Sequence, residues 1–181
     1  LDELITKLGE PTVLIDNWEG EHIGHGIWGF EDTIIWDESG LYISGIKQKN
    51  ASLQNVQTQF ELWKKDSSKI SAVGYINYNF KKFLYPHIQF KNSDKNFPYM
   101  FFGKPKQIVD YKIDWVKQKK KICLSLYSDI DSMDIYKKII NKIKIELGEG
   151  NAYQINYTMP KIFKINNDSL STYLYFRNIA R

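Results

Sequence analysis

The apolar positions change their period along the chain, and each change marks an element. Leu1, Leu4, Ile5 and Leu8 recur at helical spacing, and Gly9 and Pro11 stop the run. Thr12-Val13-Leu14-Ile15-Asp16 is short and apolar, and it reads as a buried strand. Thr33-Ile34-Ile35-Trp36 and Gly40-Leu41-Tyr42-Ile43-Ser44 surround a polar Asp37-Glu38-Ser39-Gly40 turn, which predicts a hairpin. The period then switches. Leu53, Val56, Phe60 and Trp63 fall at i, i+3, i+7 and i+10, so an amphipathic helix is predicted over 53–65. Ser52 is the expected N-cap, because its hydroxyl accepts from a first-turn amide. Lys64 and Lys65 suit the negative end of the helix dipole.

Strand character returns from Ile70 to Phe80, with Ala72-Val73-Gly74-Tyr75-Ile76-Asn77-Tyr78 at its centre. Residues 91–97 are polar and read as a loop, and Tyr99-Met100-Phe101-Phe102 is apolar up to Gly103-Lys104-Pro105. Lys106 to Trp115 and Lys121 to Tyr127 predict a second hairpin with a lysine-rich tip at Lys119, Lys120 and Lys121. Ser132 is the expected cap of a long helix with Ile135, Ile139, Ile140, Ile143 and Leu147 in one stripe. Asp134 suits its first turn, and Gly148 and Gly150 end it. Tyr153, Ile155 and Tyr157 alternate with Gln154, Asn156 and Thr158, so a strand is predicted over 153–165. A last helix is predicted from Asp168 or Ser169, with Leu170, Tyr173 and Leu174 inward and Arg177 and Arg181 on a basic side.

Gly20, Gly24, Gly26 and Gly29 predict turns or close backbone approach across 17–29. No repeat and no alternation of strand and helix is visible. The expectation is a single α+β domain over 1–181, with helices outside antiparallel sheets.

Composition narrows the classes. A chain of 181 residues with 43% hydrophobic and 15% aromatic content can bury a core, which argues against disorder. A net charge of +4 is too small to indicate a nucleic-acid partner, and the Lys119–Lys121 run reads as a solvated turn. Cys123 is alone, so no intrachain disulfide forms, and a reducing cytoplasm fits. Its strand-like setting favours a small buried hydrophobe over a catalytic thiol. No apolar run reaches membrane-spanning length, so no membrane partner is expected. No signal peptide is visible, although position 1 is Leu and not Met.

Several strings invite sharper readings. His22 and His25 have a helical i, i+3 spacing, but nearby glycines argue against a helix and two ligands fall short of a zinc site; no metal is expected. His87 stands alone after Pro86 and reads the same way. Gly24-x-Gly26-x-x-Gly29 opens no helix and is read as a glycine-rich turn, not a dinucleotide site. Gln154 and Asn156 share one face; they read as groups that satisfy buried backbone before they read as a pocket. Phe97, Tyr99, Phe101, Phe102 and Trp115 read as core filling before they read as a base-stacking platform.

One stretch is more specific. Gly150-Asn151-Ala152-Tyr153-Gln154-Ile155-Asn156-Tyr157-Thr158, directly behind an amphipathic helix, resembles the glycine-aspartate-x-tyrosine-glutamine-valine-asparagine segment of the chorismate-utilising enzymes. Further stretches match in order. Thr12 to Asn17 resembles that family's leucine-leucine-glutamate-serine strand, and Gly74-Tyr75-Ile76-Asn77-Tyr78 is similar to its glycine-tyrosine-x-x-tyrosine strand. Leu170 to Arg177 is similar to its leucine-tyrosine-x-x-leucine-arginine segment. Asn156-Tyr157-Thr158 favours the aminodeoxychorismate synthase component I branch over the anthranilate synthase branch, which carries valine-leucine-serine more often.

The resemblance implies two antiparallel sheets packed face to face with helices outside. It implies a parent that aminates chorismate in para-aminobenzoate and folate synthesis, with ammonia from a glutaminase subunit and with Mg²⁺ on the chorismate carboxylates. The family's catalytic lysine and Mg²⁺-binding glutamates are expected beyond Arg181, so this chain is expected to be an inactive N-terminal segment with no catalytic or metal residue of its own. Asp16 and Asn17 stand where some relatives hold tryptophan with a glutamate-serine pair, so they are the candidate amino-acid-binding residues. Gly74, Tyr75, Tyr78, Gly150, Tyr153, Gln154 and Asn156 are the motif positions. A sheet lacking strands from the missing half is expected to self-associate through its edges. The alternatives are an anthranilate synthase segment, or a stand-alone module that binds a glutaminase subunit or an amino acid.

Overall fold

The computed structural model describes residues 1–16, 22–66, 69–90, 97–113, 122–129, 133–159 and 161–179. Asn17, Trp115, Ser132, Arg181, the lysine-rich tip and most of the 91–97 loop lie outside these residues. The chain divides into two compact units, Leu1–Asp114 and Trp115–Arg181. The described residues form five α-helices, a six-stranded antiparallel sheet and a two-stranded one, which is α+β as the pattern predicts.

In the first unit helix α1 (Asp2–Leu8) leads to strand β1 (Val13–Asp16). Strand β2 (Ile23–Asp37) is the spine of the sheet. It is followed by β3 (Gly40–Ile43), β4 (Ile46–Lys47), helix α2 (Leu53–Asp66) and β5 (Val73–Ile76). A 3₁₀ turn (Tyr78–Phe80), a short helix α3 (Lys81–Leu84) and strand β6 (Met100–Lys112) complete it. The strand order is β4-β3-β2-β6-β5, with β1 also paired to β2. One edge of β2 is shared, since β1 takes residues 24–27 and β3 takes residues 34–37. Its other edge belongs to β6 from Ile23 to Trp36.

The β2–β6 register shifts once, between Phe30 and Asp32. Phe30 there opposes Pro105, which has no N–H to give the ladder, and an extra residue, Glu31, is accommodated as a bulge. Beyond the bulge, Ile34, Trp36, Leu41 and Met100 pack with Val56 and Trp63 of α2 and with Phe80 to form the core. The predicted helix face therefore points inward at Val56, Phe60 and Trp63, whereas Leu53, at the start of the stripe, is half exposed. The cap is also as expected. Asn55 N–H donates to Ser52 Oγ at 3.3 Å and Ser52 N–H donates to Asn55 Oδ1 at 3.1 Å, a capping box with Asn in the acidic position.

Two expectations in this unit need correction. The glycine-rich stretch is strand and not turn, because Gly24, Gly26 and Gly29 lie within β2. Gly24 and Gly26 are there for close approach: a Cβ on either would run into the Tyr111 ring or the Trp28 ring. The strand over 70–80 is also shorter than expected. After Ile76 the Asn77 side chain accepts from Asn79 N–H at 3.0 Å and turns the chain into the 3₁₀ helix.

The second unit holds strand β7 (Leu124–Asp129), helix α4 (Met133–Gly148), strand β8 (Lys161–Ile165) and helix α5 (Ser169–Ile179). Here the predicted hairpin over 106–127 fails. β6 pairs with β2 along its length and with β5 at residues 100–103, and β7 pairs with β8. Leu124 opposes Ile165 and Leu126 opposes Phe163, so apolar pairs hold the ribbon. The alternation over 153–165 yields a strand only at Lys161–Ile165, the part that meets β7. Alternation fixes faces, but a strand also needs a neighbour for its backbone groups. Asp168 caps α5, its carboxylate accepting from Ser171 N–H at 2.7 Å. Arg177, expected on a basic outer side, is buried together with Leu174.

Candidate functional site

Asp16 ends β1 opposite Gly24, and Gly24 is opposite Tyr111 on β6. All three side-chain positions share a sheet face. Gly24 presents no side chain, so the buried Tyr111 ring lies across it and its hydroxyl donates to Asp16 Oδ1 at 2.5 Å. The candidate amino-acid-binding carboxylate thus has a built-in donor two strands away. Asn17, its intended companion, lies outside the described residues.

The opposite face carries a charged cluster. His25 and Asp110 are directly paired across β2 and β6, and His25 Nδ1 lies 2.8 Å from Asp110 Oδ1. Lys69 forms an ion pair with Asp110 Oδ2. The Lys69 ammonium, and then the His25 ring, hold the Asp110 carboxyl below its ordinary range. When Nδ1 carries the proton, the carboxylate fixes the tautomer and leaves Nε2 as the basic nitrogen.

A third polar cluster surrounds the bulge. Asp32 Oδ2 accepts from Gln59 Nε2 and Trp63 Nε1, both at 2.9 Å, and Oδ1 accepts from Thr33 N–H at 2.7 Å. Lys104 bridges Glu31 at 2.6 Å and Asp66 at 3.4 Å, and the Glu31 hydrogen bond raises its pKa. These residues other than Thr33, with Ser44 and Leu62, line an open groove of about 480 Å³ beside α2. At the hairpin end of β2, Ser39 Oγ donates to Asp37 at 2.5 Å and holds that carboxyl below its usual range. Nearby, burial and then the Glu38 carboxylate push the Tyr99 phenol up.

The motif positions divide between the units. Gly74 and Tyr75 lie on β5 and Tyr78 in the 3₁₀ turn. A Cβ on Gly74 would meet the Phe101 carbonyl and the Phe102 backbone, so close strand approach explains this glycine. Tyr75 packs on Phe101 with ring centroids 6.1 Å apart. Tyr78 is exposed, and the Lys81 ammonium sits 3.8 Å from its ring centroid. Gly150 closes α4 with φ +75°. Its N–H donates to Leu147 O at 3.2 Å and Asn151 N–H donates to Glu146 O at 3.0 Å, which is a Schellman motif. Tyr153, Gln154 and Asn156 are exposed, so the expected role of the last two in satisfying buried backbone is not seen. Tyr157 stacks against Tyr136 of α4, with centroids 5.9 Å apart.

Other strings resolve plainly. Tyr99 and Phe102 pack against the core, whereas Phe97 is exposed. Cys123 is exposed rather than buried. Among the described residues, no group of three or more His, Cys, Asp or Glu is placed to hold a metal ion. No described helix is long and apolar enough to cross a membrane.

The sequence reading missed Tyr111, Asp110, Asp32 and Lys104. One signal was available for Asp32: an acidic Glu31-Asp32 pair interrupts an otherwise apolar strand. Tyr111 and Asp110 are placed by a register that only the folded sheet defines. No protein-family model, no curated protein and no solved structure matches the chain.

Proposed function

We propose that this chain is the N-terminal segment of an aminodeoxychorismate synthase component I. The observation that carries this reading is the run from α4 through Gly150 to Thr158 and on to α5. It resembles that family in residue type and in order. The left-handed Gly150 and the exposed Gln154 and Asn156 fit a segment whose helix end is fixed and whose polar groups remain available. The antiparallel sheet with Asp16 on β1 and Gly74 on β5 is compatible with the same reading. In this reading the parent has two antiparallel sheets packed face to face with helices outside.

In this reading the parent aminates chorismate in the cytoplasm, with ammonia from a glutaminase partner. Mg²⁺ would polarise the chorismate carboxylates when bound. The resemblance assigns its ligands and the catalytic lysine to residues beyond Arg181, so no residue here is given a chemical step.

The full product of the gene that encodes this sequence should be incubated with chorismate, ammonium and Mg²⁺. Aminodeoxychorismate should form as chorismate disappears. Fluorescent anthranilate would move the protein to the sister branch. Chorismate left untouched, with ammonium and with glutamine plus a glutaminase subunit, would sink both readings.

A further inference from the structure

We draw no further inference here: the strongest candidate, the half-exposed apolar face of the β7–β8 ribbon formed by Leu124, Leu126, Phe163 and Ile165, carries nothing because nothing in the structure shows what covers it.

Discussion

Tyr111 donates its hydroxyl proton to Asp16 Oδ1 at 2.5 Å, and it reaches that oxygen by lying across Gly24. Position 24 of the strand between them must carry no side chain. Gly24→Ala should push the ring out of a packed site and cost about 1–3 kcal/mol, the usual range for overpacking. Urea unfolding should show a lower midpoint at unchanged slope. An unaltered midpoint would mean that the ring moves freely.

Asp32 ties the bulge of β2 to helix α2 through Gln59 and Trp63. Trp63→Phe keeps most of the buried ring and removes the indole N–H. It should cost about 1–3 kcal/mol, because a hydrogen bond to a carboxylate is lost and the ring fills less of its site. In an Asp32→Asn background the same change should cost less. Equal costs in both backgrounds would show that the indole N–H and the carboxylate are not coupled.

These contacts show what could be read in advance. The 53–65 helix was legible because its period, cap and charge bias are local, and the structure has it at Leu53–Asp66. The α4 helix and its glycine stop were legible because the isoleucine period and the glycine are local too. Strand partners were not. Lys106–Trp115 looked ready to pair with the next strand, but the long edge of β2 takes residues 106–112 instead. The candidate site divides similarly. Asp16 was named from its position in a motif, whereas its partner Tyr111 lies 95 positions away along the chain. Nothing local in the sequence announces that distance.

Gly150 has open space around its missing Cβ, so its requirement is purely conformational. At φ +75°, Gly150→Ala should cost about 1–2 kcal/mol, and Gly150→Asn should cost less. Comparing the two midpoints separates backbone strain from crowding. A larger loss for Asn than for Ala would point to crowding and overturn this account.

Asp110 sets the expected pH response. Its folded-state pKa lies below the ordinary 3.8, chiefly through Lys69 and then His25. The protonated carboxyl is therefore disfavoured in the fold. The stabilisation is present above the ordinary value and is lost as pH falls through the lowered one. Asp110→Asn should flatten the acid side of the stability profile as pH falls through and below the ordinary carboxylate range. Because the group faces solvent, added salt should shrink the difference. Identical profiles for the two proteins would remove Asp110 from the acid response.

The Glu31 bulge also governs where this chain can tolerate a change of length. Strand faces alternate with every residue, so one residue inserted at Ile27 or Ile34 would turn half of β2 inside out and send core side chains to solvent. At Glu31 the ladder already absorbs an extra residue. A one-residue insertion within β2 is therefore expected to be absorbed best at that point.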